Sequence, residues 1–449
     1  MKRILLILTL FLIFCFRDIT GQIKKWTLED CINYAVTNNI GLQRQKLLTQ
    51  TKEVDLITSK MNLLPNLSAG SNLQLTNGRS IDQSNAIAFN KNLTNTLFIS
   101  SNIVLFNGFT EINTIGANKF MLRAGLESEK IARNTLIVEI MGQYYMVLYT
   151  RGLESASKMQ LDLSEKQLFR ITKMVETGRE ALSKQYEIES QASADKLSYT
   201  IAHNTASQAI TTLKQMLQLE PGSEFDILVP DLNNLLLTDN TFRSDSIYKL
   251  AAQNLPRLKE IEFELIASKK QIAAARGNLA PRITAGGGFG SYYYDILNAG
   301  SEISQNSYSR QLNGNLSKQA VLSVNIPIFN NFSTYRSIKM AKLRKNDNEL
   351  RLELEKNNLY TDIENACLDY NRGKDEFSAA NANYDFNIKS FAGVEKKFES
   401  GLVDVTEFSV AKTTLFKAET EALRTKLQLL IRKLTIQFYS TGEYQNLMN

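Results

Sequence analysis

The chain has 449 residues, and its 52 lysine and arginine residues against 46 aspartate and glutamate residues give a formal net charge of +6 at pH 7. This mild, dispersed charge argues against nucleic acid as a partner. His203 is the single histidine, which leaves metal chemistry without ligands and general-base catalysis without its usual residue. We therefore expect no enzyme, no metal site and no cofactor.

Residues 1–21 have the pattern of a secretory signal peptide. Lys2 and Arg3 precede a long apolar run, and Thr20-Gly21 is a suitable small-residue cleavage site. We therefore expect the mature chain to be exported. No later segment offers about eighteen consecutive apolar residues, the length that a membrane-spanning helix needs. The two cysteines left after processing lie in helical patterns and are expected to be buried apolar residues, with a disulfide between them as the alternative.

A first structural repeat is predicted over residues 22–219. Thr27 and Asp30 resemble a capping box, which predicts a short helix ending near Asn38. A second helix follows and must stop at Pro65, because proline cannot continue it. Two short helices therefore precede the first β-structure.

Alternation of apolar and polar residues then predicts a β-hairpin over about residues 66–106, with the polar stretch 77–92 as its loop. One face of each strand carries leucine, isoleucine and alanine, and the other carries asparagine, serine, threonine and glutamine. Long helices are predicted over about residues 109–219. Seven aromatic residues fall at or near the ends of the predicted strands in both repeats, as interfacial girdles do: Phe98, Phe106, Phe289, Tyr292, Tyr293, Tyr294 and Phe329.

The same order of elements then starts again. Residues 220–243 form an irregular connector, and a second structural repeat is predicted over residues 244–440. It contains a β-hairpin over about residues 282–329 and long helices over about residues 332–440. Residues 441–449 are left as a C-terminal tail.

The repeat is supported by regular spacings between equivalent residues. Pro65 and Pro281 lie 216 residues apart, and Gly178 and Gly401 lie 223 apart. The spacing changes once, by seven residues, inside the hairpin loop. The long proline-free run before Gly401 has an apolar residue at every seventh position, a spacing that is typical of a helix that packs along its whole length: Ile363, Tyr370, Phe377, Tyr384, Phe391 and Phe398. A proline-free run of this kind would make a helix roughly 100 Å long.

Two hairpins give the chain four strands. A sheet in a bilayer must close on itself, and the smallest single-chain barrels have eight strands. Several chains must therefore share one barrel. The alternative is that the strands form the edge of a soluble β-sandwich, but this fold would not explain the long helices.

Several motifs together resemble the TolC family of outer membrane efflux proteins. They are the Thr-Leu-Glu-Asp-Cys-Ile-Asn-Tyr-Ala opening at 27–35, Leu-Pro-Asn-Leu at 64–67, Phe-Asn-Gly-Phe at 106–109 and the segment 401–419. The resemblance covers essentially the whole mature chain. It implies a mostly α fold with membrane β-structure, in which three chains share a β-barrel that continues into a long antiparallel α-helical barrel.

The resemblance also implies two sets of site residues. The turns at the ends of the long helix pairs would contact a periplasmic adaptor, although they could be turns only: Gly178, Arg179, Leu182, Gly401, Leu402 and Val403. Relatives place acidic residues six and nine positions after the turn glycine at a pore aperture. Here these are Glu407 and Val410, so that three copies of Glu407 would form an acidic ring, or Glu407 would be a solvated helix residue. Val410 departs from the acidic pattern and leaves an apolar constriction as an alternative.

We therefore predict a homotrimeric outer membrane channel-tunnel subunit, in contact with outer membrane lipid and with its helical tunnel in the periplasm. With a periplasmic adaptor protein and an inner-membrane pump, driven by protons or by ATP, it would export small toxic molecules, drugs or metal ions. Two alternatives stay open. One is the outer membrane component of a type I protein secretion system, and the other is a surface-anchored coiled-coil structural protein that conducts nothing.

Overall fold

In the computed structural model, described over residues 25–81, 87–230, 242–297 and 307–442, the chain consists of long and short helices, one four-stranded sheet and one short two-stranded sheet. The predicted signal peptide, part of the predicted connector and most of the predicted tail lie outside these ranges.

The main helices and the strands of the four-stranded sheet occur in the same order in the two halves, and the second half has one additional short helix between its two strands. The first half contains β1 (Lys25–Trp26), α1 (Leu28–Asn38), α2 (Ile40–Met61), β2 (Asn66–Ile81), β3 (Ile87–Phe106), α3 (Thr110–Glu176), α4 (Leu182–Leu217) and β4 (Asp226–Ile227). The second contains α5 (Ser244–Asn254), α6 (Pro256–Gly277), β5 (Arg282–Ile296), α7 (Tyr308–Gly314), β6 (Ser317–Asn325), α8 (Ser333–Glu399) and α9 (Val405–Thr441). The predicted mostly α fold with two internal repeats is thus confirmed.

The start of α1 shows how local sequence fixes a helix end. Thr27 Oγ1 accepts a hydrogen bond from Asp30 N (3.0 Å), and Thr27 N donates to Asp30 Oδ2 (3.0 Å). The predicted capping box is therefore present, and it satisfies two backbone N–H groups that the first helical turn leaves unpaired. The helix buries Cys31, Ile32 and Ala35 on one face.

The chain divides into two compact units that do not coincide with the two repeats. One unit takes the residues up to Gln45, Lys130–Pro256 and the residues from Lys356 onward, and the other takes Lys46–Glu129 and Arg257–Glu355. Each repeat contributes to both units. In the first unit, α1, α3, α4 and α9 pack around a core that includes Ile137, Tyr144 and Leu213.

The second unit contains the sheet, whose strand order is β2-β3-β5-β6 with antiparallel neighbours throughout. Ala69 pairs with Ile99, and Ile99 pairs with Phe289. Since residues directly opposite each other share a face, the apolar positions of three strands come together on one side. Ser68, Ser100 and Gly288 pair across the other side, which is rich in hydroxyl and amide groups.

Two expectations about the first hairpin were wrong. The stretch 77–92 is mostly paired strand and not a loop, because β2 and β3 stay in register to Ile81↔Ile87. Polar side chains do not prevent this, since the backbone ladder needs only N–H and C=O groups. Phe98 lies in the interior of β3 and not near a strand end, with its ring over Gly70: a Cβ there would stand 2.6 Å from Phe98 Cζ.

The second hairpin contains a helix that its polar loop concealed. Helix α7 comes directly before β6 in the chain, and its side chains contact the edge of β5. Gln311 Nε2 donates to Tyr294 O (3.1 Å) and Gln311 Oε1 accepts from Tyr294 N (3.1 Å). One side-chain amide thus makes the pair of hydrogen bonds that a neighbouring strand would make. Strand β6 itself ends at Asn325, two residues before Pro327, which has no N–H to donate.

Within the described ranges no helix is sufficiently long and apolar to cross a membrane. Cys31 and Cys367 are free thiols and both are buried. Burial raises the pKa of the Cys31 thiol to about 12, and the nearby Asp30 carboxylate adds to this shift.

Candidate functional site at the two helix turns

The turn between α3 and α4 is closed by backbone hydrogen bonds around a left-handed glycine. Gly178 has φ = +71°. Arg179 N donates to Met174 O (2.8 Å) and Gly178 N donates to Val175 O (3.0 Å). This is the bond pattern with which helices commonly end, and it requires the left-handed conformation that glycine adopts without penalty.

The turn between α8 and α9 repeats this geometry. Gly401 has φ = +75°, Leu402 N donates to Lys397 O (2.9 Å) and Gly401 N donates to Phe398 O (3.0 Å). The next helix starts differently from α4, because Asp404 accepts a hydrogen bond from Glu407 N (2.8 Å). At the equivalent place before α4, Ala181 makes no side-chain cap.

An apolar cluster holds the ends of the two hairpins together in the first unit. Its buried members come from all four helices: Ile171, Ile188, Phe391, Phe398, Val405 and Phe408. The Phe408 ring stacks on Phe398 with 4.6 Å between ring centroids and lies 5.6 Å from Phe391. The two turns therefore share one core and have fixed positions relative to each other.

The structure brings part of the predicted docking set together. Gly401, Leu402 and Val403 border a groove of about 340 Å³ whose opposite wall comes from the α3–α4 hairpin. Leu402 is 76% exposed and Leu182 is 52% exposed, so neither side chain is buried within its own chain. Gly178, Arg179 and Leu182 are exposed but are not among the residues that line this groove.

The predicted aperture residues lie together on one exposed face of α9. Glu407 and Val410 are three residues apart, which places them on the same side of a helix. Both are exposed, Val410 by 62%, whereas the intervening Phe408 is buried. Within the chain, therefore, neither aperture side chain is used to build the core.

Sequence reasoning missed several residues of this site. The groove is also lined by Arg170, Glu180, Lys184 and Asp404, and Arg170 Nη2 donates to Glu399 O across the two hairpins (2.9 Å). The cap at Asp404 could have been found, because an aspartate three residues before a glutamate is typical of a helix start. No local signal marks Arg170, since its acceptor lies in the other repeat.

In the described part of the chain, no group of three or more histidine, cysteine, aspartate or glutamate side chains could hold a metal ion. His203 Nδ1 lies 2.7 Å from Glu154 Oε1 on the surface of the α3–α4 pair.

Comparison with known proteins agrees with the fold. Residues 247–441, nearly the whole second repeat, match the family described as outer membrane efflux protein. An uncharacterized protein of Haemophilus influenzae is 19% identical over 338 residues, which are 74% of this chain and 70% of that protein.

Solved structures share the fold over almost the full length. The CmeC outer membrane channel of Campylobacter jejuni is 13% identical, with a TM-score of 0.76 over 94% of this chain and 88% of its own. The outer membrane protein VceC of Vibrio cholerae is 12% identical, with a TM-score of 0.76 over 93% and 96%. The MtrE outer membrane channel of Neisseria gonorrhoeae is 17% identical, with a TM-score of 0.74 over 92% and 88%. The resemblance that the motifs carried is confirmed: residues 247–441 match the outer membrane efflux protein family, and the chain shares the fold of these solved outer membrane channels.

Proposed function

We propose that this chain is one subunit of a homotrimeric channel-tunnel that gives a tripartite efflux system its exit duct through the periplasm and the outer membrane. The observation that carries the proposal is the two-faced, open sheet of the second unit. It has one apolar face, one polar face and two edge strands, β2 and β6. The exported molecules would be small toxic compounds, drugs or metal ions.

The sheet fits a wall of a shared barrel. An open edge in hydrocarbon leaves backbone N–H and C=O groups without partners, at several kcal/mol for each group. Strands β2 and β6 run in opposite directions, so β6 of one chain can pair in antiparallel fashion with β2 of the next. The apolar face would then meet outer membrane lipid, and the hydroxyl and amide face would line a wet lumen.

The two helix turns fit a docking surface for a periplasmic adaptor protein, which would join the channel to an inner-membrane pump. Leu402 and Leu182 expose apolar side chains there with no place in the core of their own chain. Leu402 borders the groove between the two hairpins, and an apolar side chain exposed at the rim of a groove fits a protein-binding surface. Gly178, Arg179, Gly401 and Val403 complete the surface by setting the path of the turns.

Glu407 and Val410 fit an aperture at the same end of the helices. Three symmetry-related Glu407 carboxylates would attract cations and could be blocked by divalent ones. Because Val410 replaces the second acidic residue, we propose one acidic ring with an apolar constriction beside it.

The docking proposal is tested by a double variant, Leu182→Asp with Leu402→Asp, in a strain that lacks the chromosomal copy. We expect normal amounts of assembled trimer in the outer membrane and loss of resistance to the exported compounds, since charges replace the apolar contacts. Leu250→Asp is the matched control, because Leu250 is 49% exposed on α5, away from the turns. Full resistance in the double variant, with an unchanged set of secreted polypeptides, would exclude these residues from docking.

Type I protein secretion uses a duct of the same kind. The parent and double-variant strains therefore also distinguish efflux of small molecules from secretion of a polypeptide. Loss of a polypeptide from the culture medium with unchanged resistance would replace efflux by secretion. The absence of both phenotypes in a strain without the chain would overturn the proposed export function itself.

A further inference from the structure

A layer of polar side chains interrupts the apolar seam of the first unit close to the helix turns. Lys412 Nζ on α9 lies 2.5 Å from Asp195 Oδ2 on α4 and 2.5 Å from Ser164 Oγ on α3. Ser164 Oγ also donates to Asp195 Oδ2, and Gln191 Nε2 donates to Asp195 Oδ1 (3.1 Å). The side chains of Lys412 and Asp195 are only 3% and 5% exposed. Three helices are thus joined by one buried ion pair whose two members also hydrogen-bond to Ser164 and Gln191.

Each member of this layer occupies a seam position of a coiled coil. The buried or half-buried positions of the three helices follow alternating steps of three and four residues: Leu161, Ser164, Leu168 and Ile171 on α3; Ile188, Ala192, Asp195 and Tyr199 on α4; Val405, Phe408, Lys412 and Leu415 on α9. Steps of this kind are the spacing of interlocking helices. Ser164, Asp195 and Lys412 therefore form one polar layer across the three helices, with apolar layers on both sides.

The second repeat contains no copy of this layer. Asn387 stands 223 residues after Ser164, and Ala418 stands 223 residues after Asp195, so neither charge nor hydroxyl is repeated. The residue 223 before Lys412 is Glu189, which is exposed. Asn387 donates to Asn383 O within its own helix (2.8 Å). The ion pair thus distinguishes two helix hairpins that repeat the same order of elements.

Physical chemistry gives such a layer a specific use. A buried ion pair adds little stability, because two charges lose their hydration, but a shifted register would leave both charges unpaired in an apolar seam. Single polar seam residues are the established means of fixing register in coiled coils, and asymmetric layers exclude alternative packings of repeated helices. Apolar layers alone would tolerate a slip of one heptad, which moves a helix by about 10 Å.

We infer that the Lys412–Asp195 pair, with Ser164, sets the axial register of α9 against α3 and α4 and so positions Glu407 and Val410. The three are positioning residues and need not touch the exported molecule. Lys412 is five residues from Glu407 along one rigid helix, so a register error at the layer is carried directly to the aperture. This consequence for the aperture rests on the proposed channel function, whereas the register itself does not.

The register can be measured by cross-linking, without any channel assay. Thr406 Oγ1 lies 3.3 Å from Glu187 Oε1, so the variant Thr406→Cys with Glu187→Cys places two thiols opposite each other on α9 and α4. A short bifunctional thiol reagent reports on their proximity in the purified full chain. Asp195→Leu with Lys412→Met is then added, which removes both charges and puts apolar side chains in their place. Lys417→Met is the matched control, because this lysine is exposed on the same helix.

We expect the apolar double variant to fold and to melt at or above the melting temperature of the parent protein. Its cross-linking should be at least about tenfold slower, because a helix that spends nine-tenths of its time in other registers brings the two thiols together for only the remaining tenth. Lys417→Met should cross-link at the parent rate. An apolar variant that cross-links at the parent rate overturns the inference. An apolar variant that fails to fold also overturns it, because the pair would then be a stabilising element. A trimer that conducts no ions but shows the expected cross-linking would reject the channel and leave the register intact.

Discussion

Replacing Gly401 by alanine isolates the contribution of backbone conformation at the α8–α9 turn. Gly401 has φ = +75°, and a Cβ added there would meet nothing within 4 Å, so sterics with neighbours play no part. The left-handed conformation costs a non-glycine residue roughly 1–2 kcal/mol. The hydrogen bonds of the turn involve only backbone atoms and stay available in the variant.

A loss of this size should raise the population of the opened turn about 5- to 30-fold. Limited proteolysis of the purified protein, with fragments mapped to the turn, measures this population when opening is fast relative to cleavage. Gly401→Asn is the matched control, since asparagine adds a Cβ but tolerates the left-handed region, and it should be cut at an intermediate rate. Equal cleavage of the alanine, asparagine and parent proteins would refute the argument from φ.

Three further outcomes follow from individual contacts. Asp404→Ala should lower the stability of α9 by about 1 kcal/mol through loss of its bond to Glu407 N, whereas Ala181→Asp should add a similar amount to α4, both measured by thermal melting. Cys31, with a pKa raised to about 12, should stay unalkylated by iodoacetamide at pH 8 until the protein is unfolded, and labelling of the native protein would contradict its burial. Gln311→Ala should speed amide exchange at the outer end of β5, because two hydrogen bonds of about 1 kcal/mol each are lost; unchanged exchange would mean that α7 does not protect this edge.

What could be predicted depended on how local the signal was. The cap at Thr27 and Asp30 and the turn at Gly401 rest on contacts within five residues, and spacing alone revealed both. The hidden helix α7 could not be found, because its reason for forming is the exposed edge of β5 and not its own composition. The ion pair of Lys412 and Asp195 joins residues 217 apart in sequence, and a lysine in a heptad pattern looks the same whether it faces water or a buried carboxylate.

The sheet faces illustrate the same limit. Alternation assigned each β-hairpin residue to one of two faces, and the register places those faces together across strands. Alternation could not fix how far β2 and β3 extend, since the run Asn77-Gly78-Arg79-Ser80 near the outer end of β2 has no alternating apolar residue. Their length is set by backbone pairing, which leaves no periodic trace in side-chain polarity.

The most direct test of the channel proposal is ion conductance of the purified trimer in a planar lipid bilayer, with Glu407→Gln as the paired variant. We predict discrete, cation-selective current steps that divalent cations block, and loss of both the selectivity and the block in Glu407→Gln because the ring of three carboxylates is neutralised. Inserted, folded trimers that carry no current would contradict the channel, and identical selectivity and block in the two proteins would remove Glu407 from the aperture.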